Sequence, residues 1–185
     1  MRIIAGKYRG KTLLAPEGRG TRPTADRARE GVFNMLESRL LAEEKHWKDL
    51  CVADVFAGTG AMGLEALSRG AQQAVFFEND VAALTCLRQN ASAALKDGAQ
   101  LSFLGDIFSC PEALNVFDIV FSDAPYQKNL TEPALEMLLE KGYVGTKTLC
   151  VVESEKTEKI KYPASFRIEK TRIYGRASFD FLTLV

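Results

Sequence analysis

The feature that most limits the possible folds is the stretch from Cys51 to Gly70. A short apolar run, Cys51–Phe56, breaks into Ala57-Gly58-Thr59-Gly60-Ala61-Met62-Gly63. A helical pattern then runs from Met62 to Arg69 before Gly70 ends it. Glycines 58, 60 and 63 have the G-x-G-x-x-G spacing, and Glu78 closes the next apolar run, Ala74–Phe77, 20 residues after Gly58. Strand, tight turn, helix, strand and terminal acid in that order form a βαβ unit with parallel strands. The glycines let backbone approach a ligand with no Cβ in the way, and the helix start offers free N–H donors. A carboxylate at Glu78 can accept both hydroxyls of a ribose, so the unit points to a nucleoside ligand. The plainer alternative is a tight turn followed by a surface Glu.

The rest of the chain continues the alternation. Asp80 is placed to cap a helix reaching Lys96, with Val81, Leu84, Leu87, Ala91 and Leu95 on one face and Gly98 as its stop. Strands are expected at Leu101–Leu104, Asp118–Ser122 and Thr148–Val152, with a helix over Thr131–Lys141. Phe166–Tyr174 and Ala177–Val185 read as two strands around Gly175. Continuous apolar strands separated by helices predict a parallel sheet covered on both faces, with the tail as an antiparallel hairpin. Ahead of this body, Arg2–Ala5 and Lys11–Ala15 read as a small hairpin or ribbon. Glu17–Pro23 reads as a loop, and Thr24 as the cap of a helix to about Ala42 with Ala25, Ala28, Val32, Phe33, Leu36 and Leu40 as its apolar stripe. Arg27 and Arg29 lie off that stripe and are expected to face solvent or a ligand. The division is 1–42, a basic hairpin and helix, then 43–185, the α/β body, together one compact unit.

In such sheets ligands sit beyond the carboxyl ends of the strands. Three loops gather there. In the first, Asp54 lies four residues before Gly58, where a carboxylate attracts a cationic amino group and repels a pyrophosphate. That favours S-adenosylmethionine over a dinucleotide. Roughly 135 residues follow the linker at 43–49, little room for a dehydrogenase's substrate domain. In the second loop, Asp106 can accept from an adenine amine and Ile107 can pack on the ring; Asp106 reads equally as a helix N-cap. The third, Asp123-Ala124-Pro125-Tyr126, sets a carboxylate, a backbone carbonyl and an aromatic face together, which suits the exocyclic amine of a planar base extruded from its stack. On its own it would read as a turn ending a strand.

Charge adds a partner class. The chain carries 24 Lys plus Arg against 24 Asp plus Glu, for zero net charge. Residues 1–30 nonetheless hold eight basic and three acidic residues, leaving an acidic body behind a basic arm. Such an arm suits a polyanion, and equally a solvated surface. No apolar run reaches the 18 or so residues of a membrane span, and the start, Met-Arg-Ile-Ile-Ala-Gly-Lys, does not read as a secretory signal. The four cysteines, at 51, 86, 110 and 150, have neither redox nor zinc spacing, and the single histidine, His46, sits between Lys45 and Trp47. No metal is expected, and a cytoplasmic location is.

These segments carry a resemblance. Arg2-Ile3-Ile4-Ala5-Gly6-Lys7-Tyr8-Arg9-Gly10, then Arg22-Pro23-Thr24 with Arg27 and Arg29-Glu30, then Asp54 through Gly60 and Gly63 to Gly70, resemble the bacterial 16S ribosomal RNA guanine-N2-methyltransferases, the RsmD family of class I S-adenosylmethionine-dependent enzymes. The similarity runs nearly end to end, and the N-terminal block is its specific part. It implies a Rossmann-like α/β fold with a seven-stranded, mostly parallel sheet, an antiparallel terminal hairpin and a small N-terminal extension. It implies a monomer that methylates the N2 amine of a guanine in 16S ribosomal RNA or the small ribosomal subunit. Asp123, Ala124 and Tyr126 would meet the base. Asp54, Phe56, Gly58, Thr59, Gly60, Glu78, Asp106 and Ile107 would hold the cofactor, and Lys7, Arg9, Arg22 and Arg27 the RNA. The family's loop usually reads Asp-Pro-Pro-Tyr or Asp-Pro-Pro-Phe; here the second position is Ala124, which keeps the carbonyl and frees φ. Alternatives left open are an amine methyltransferase for another RNA, DNA or a protein glutamine, a nucleotide-binding oxidoreductase, and a catalytically weakened RNA-binding relative.

Overall fold

The computed structural model describes residues 1–16, 23–126 and 128–185, with backbone alone for 23–25. The first helix, α1, spans Pro23–Ala42. It begins on proline, whose missing N–H costs nothing in a first turn. Thr24 therefore lies inside the helix and is not its cap. Ala28, Val32, Phe33, Leu36 and Leu40 form the buried stripe. Arg29 is a correction: it is 4% exposed, its Nη2 donating to the Arg2 carbonyl and to Asp26 Oδ1.

The body follows as β1 (Cys51–Val55), α2 (Ala61–Ser68), β2 (Gln73–Phe77), α3 (Val81–Lys96), β3 (Gln100–Leu104), β4 (Ile119–Ser122), α4 (Thr131–Glu140), β5 (Leu149–Glu155), β6 (Phe166–Tyr174) and β7 (Ala177–Leu184). The seven strands lie in the order β3-β2-β1-β4-β5-β7-β6. The first five are parallel, and β7 runs antiparallel between β5 and β6. The order reverses between β1 and β4, so the crevice opens where those two strands end. Successive side chains alternate between two cores. Val52, Phe76 and Phe121 meet α1, α2 and α3 on one face; Ala53, Val55, Phe77 and Val120 meet α4 on the other.

One local reading changes. The buried face of α3 is Ala83, Leu87, Asn90, Ala91 and Ala94, while Val81 and Leu95 are exposed. Small alanines let the helix close on the sheet. The polar Asn90 is fully used there, donating to the carbonyls of Thr59 and Leu14 and accepting from Leu14 N–H. The N-terminal hairpin is a ribbon with one antiparallel bridge, Arg2↔Thr12, among the described residues. Several of its backbone groups go to α2 instead. Glu65, with no exposed surface, accepts from Ile4 N at 2.7 Å and Ala5 N at 3.0 Å, and Ser68 O accepts from Lys7 N at 2.7 Å. Gly6 permits this approach: a Cβ there would fall 1.8 Å from the Ser68 carbonyl oxygen.

Candidate active site at the carboxyl edge of the sheet

Strand register assembles the site. Val55 pairs with Phe77 on one side and Ser122 on the other; Phe77 pairs with Leu104, and Ser122 with Val152. The next residue along each strand stands in one rank at the sheet's edge: Gly105, Glu78, Phe56, Asp123 and Glu153. Backbone bonds continue into this rank, from Glu78 N to the Leu104 carbonyl and from Asp123 N to the Val55 carbonyl. Three of the five come from the loops singled out by sequence, and Glu78 is singled out with the glycines. Glu153 is not.

The three glycines of the first loop divide their work. A Cβ on Gly60 would strike Leu87 at 2.2 Å and one on Gly63 would strike Phe76 at 2.4 Å, so both serve packing. A Cβ on Gly58 would meet nothing nearer than the Phe56 carbonyl, at 3.9 Å, so Gly58 offers open backbone to a ligand. Phe56 has φ 59°, a conformation that costs a non-glycine residue roughly 1–3 kcal/mol. The Thr59 hydroxyl is drawn away toward Met1 Sδ.

Glu78 is buried, and its two oxygens accept from Gly58 N at 2.7 Å and Asp80 N at 2.8 Å. A carboxylate has about four acceptor sites, so these bonds leave capacity for ribose hydroxyls. Asp54 is more enclosed than a direct ligand contact would require. Its Oδ2 accepts from Gly63 N at 2.8 Å, tying the start of α2 to β1. Burial first, then the Asp123 and Glu78 carboxylates, push its pKa up to about 8. Any pull on a cationic ligand comes through the shared field of these acids, with the Asp54 carboxyl committed to the helix start.

The second loop contains the cap that the sequence allows. Asp106 caps a 3₁₀ turn over Ile107–Ser109, accepting from Phe108 N at 3.1 Å. Ile107 is 2% exposed and belongs to the core beside α4, so it does not offer itself to an adenine ring. Phe108, partly exposed, follows it, with its ring centroid 6.4 Å from that of Phe56.

In the third loop Asp123 is exposed and Ala124 is buried at 6% exposure. Tyr126 keeps 45% of its surface, enough to offer a ring face, and its hydroxyl donates to Glu153 Oε1 at 3.4 Å. Burial and the Asp123 carboxylate raise the Tyr126 pKa well above its ordinary value. Burial and the same carboxylate push Glu153 up to about 8. The site is thus an acidic rim with an aromatic platform, suited to amines and cations.

The basic arm is partly spoken for. Lys7 pairs with Asp97 at 3.2 Å, while Arg9 and Arg27 are exposed and share with Arg2, Asp26 and Glu30 the rim of a cavity of about 430 Å³ between ribbon and α1. Arg22, and the loop predicted at Glu17–Pro23, lie outside the described residues, save Pro23 itself. Among the described residues no group of three or more His, Cys, Asp or Glu is arranged to hold a metal ion, and no helix is long and apolar enough to cross a membrane.

Residues 1–183 match the family described as Conserved hypothetical protein 95. The chain is 33% identical over 183 residues to the ribosomal RNA small subunit methyltransferase D of Haemophilus influenzae, covering 97% of this chain and 91% of that one. To the protein of the same name from Escherichia coli it is 32% identical over 180 residues, covering 97% and 87%. The solved structure of yhhF from Escherichia coli shares the fold with a TM-score of 0.80 at 33% identity, covering 100% of this chain and 97% of that chain.

Proposed function

We infer the reaction from the premise that this chain belongs to the Conserved hypothetical protein 95 family, that of the RsmD ribosomal RNA methyltransferases: it methylates small-subunit ribosomal RNA, with S-adenosylmethionine as donor and the N2 amine of a guanine as acceptor. The single observation that carries the finer reading is the rank of edge residues, in which Phe56, two residues before Gly58, stands between Asp123 and Glu78.

The residues fit the donor. Gly58 gives backbone access, Glu78 acceptors for ribose, Phe56 and Phe108 an apolar wall, and the acids a field that favours positive charge. Bound there, S-adenosylmethionine supplies a methyl group already made electrophilic by its sulfonium. The protein's task is alignment. Asp123 and the Ala124 carbonyl accept from the target amine, fix its direction, and relieve the positive charge that grows on nitrogen. The proton shed by that nitrogen has the Asp123 carboxylate as its first acceptor, and Asp123 is open to water. Tyr126 stacks on the base. Arg9 and Arg27 hold phosphates, a task the resemblance also gives to Lys7 and Arg22. In this reading residues 1–42 supply the RNA arm and 43–185 the catalytic body, and the working form is a cytoplasmic monomer.

The test is methyl transfer from labelled S-adenosylmethionine to 16S ribosomal RNA and to small subunits, with cofactor affinity measured in parallel. Asp123→Ala should lower turnover on the order of 10²–10³-fold, as loss of one charge-matched partner does at an oxyanion hole, and leave cofactor affinity largely intact. Turnover that survives while cofactor affinity collapses would move the loop to the cofactor site and end the base-recognition reading. Nucleoside analysis that finds the label off guanine N2 would overturn the acceptor.

A further inference from the structure

Glu153 ends the edge rank. The apolar pattern of the fifth strand stops at Val152, but the strand itself continues through Glu155. Ser122↔Val152 is the final pair of the β4–β5 register, so Asp123 and Glu153 follow it side by side. On its other side Glu153 pairs with Phe179 of β7. Its Oε1 accepts from the Tyr126 hydroxyl. A carboxyl group thus stands against both residues assigned to the target base, on a strand that carries neither the glycine loop nor the ribbon.

We propose that Glu153 is a positioning residue for the methyl transfer, holding the Tyr126 ring and the Asp123 carboxylate in the arrangement the target base requires. The inference rests on the reading of Asp123 and Tyr126 as base-recognition residues. Two carboxylates on neighbouring strands cannot both ionise at little cost, so one keeps a proton. Glu153 is the more enclosed, and burial followed by the Asp123 charge push it up to about 8. Arg29, approaching from α1, opposes the rise, as does the Tyr126 hydroxyl; Phe179 on β7 carries no charge. Near neutrality Glu153 therefore acts as a neutral acid. Its carbonyl oxygen accepts from Tyr126 and fixes the tilt of the ring, while its hydroxyl is available to Asp123.

Glu153→Ala and Glu153→Gln separate this from a merely structural role. Gln mimics the neutral acid, with an oxygen to accept and an amide to donate, but cannot titrate. Glu153→Ala should lower kcat on the order of 10²-fold, the scale of a displaced reacting group, with S-adenosylmethionine affinity unchanged. Glu153→Gln should recover at least about tenfold of that loss. Wild-type kcat should fall as Glu153 loses its proton above about pH 8, and Glu153→Gln, which cannot titrate, should lack that loss. Wild-type kcat in Glu153→Ala overturns the inference, and so does a folded Glu153→Gln as inactive as Glu153→Ala. A readout free of activity checks the contact. In the ligand-free protein the Glu153 carboxyl carbon resonance should titrate near pH 8 and at lower pH in Asp123→Asn. Titration near the ordinary 4.5 sinks the inference even if the wild type methylates RNA. A wild type that leaves ribosomal RNA unmethylated overturns the functional reading, an outcome separate from either of these.

Discussion

Replacing Glu78 by alanine should damage the protein before any ligand is added. As a residue at a strand end, Glu78 reads in the sequence as dispensable for folding. In the structure its carboxylate joins two loops, accepting from Gly58 N at 2.7 Å and Asp80 N at 2.8 Å, and it is 9% exposed. Hydrogen bonds to a charged partner are worth about 1.5–3 kcal/mol each, and alanine removes both. The loop can relax, so the low end for two bonds applies, about 3 kcal/mol. For a chain of this length that shifts the unfolding midpoint down by roughly 6–12 °C. Thermal and urea unfolding of the ligand-free variant would measure it. Glu78→Gln should fall between, since its oxygen still accepts from one N–H while its amide opposes the other. A Glu78→Ala midpoint within about 1 °C of wild type would show that the carboxylate does not hold the loops. Cofactor affinity, measured well below the new midpoint, is a second readout. Affinity that survives a lowered midpoint would leave Glu78 with the loops alone and remove it from the ribose.

Asp54 makes the ligand-free protein sensitive to pH in a definite direction. Its pKa rises from 3.8 to about 8 on folding, so between those values the folded state keeps a proton that the unfolded chain has lost, and stability falls as pH rises. The slope reaches at most about 1.4 kcal/mol per pH unit. Asp54→Asn should flatten the profile of unfolding midpoint against pH, and an unchanged slope would refute the burial argument. Replacing Arg9 and Arg27 by alanine should weaken RNA binding and lower its log–log salt slope by about 0.7–0.9 for each phosphate no longer neutralised. Binding that keeps the wild-type slope would remove these two residues from the RNA interface.

What is local in this fold is legible in the chain. The strand–glycine–helix unit, the Asp80 cap and the glycine stop at 98 depend on neighbours a few residues apart, and the structure has all three. Burial between distant segments is not legible. Arg29 lies off the apolar stripe of its helix, yet the Arg2 carbonyl and Asp26 enclose it. On α3 the row of large side chains is right at Leu84, Leu87 and Ala91 but not at its ends, Val81 and Leu95, because alanines packed close to the sheet and Asn90 turn the buried face. Ile107 could face a ring or the core, and only the position of α4 chooses. Glu153 is hidden because a polar side chain ends the apolar pattern at Val152 while backbone pairing continues past it.

The clamp between the ribbon and α2 also sets a timetable. Glu65 lies 61 residues after Ile4 and 60 after Ala5, the backbone groups it receives. A ribosome adding about 5–20 residues per second needs roughly 3–12 s to cover that distance. For those seconds the ribbon has been made but has no seat, with Ile3 and Leu13, both buried in the finished fold, still in water. The part of the molecule assigned to holding ribosomal RNA is thus translated before α2 and docked only after α2 has emerged.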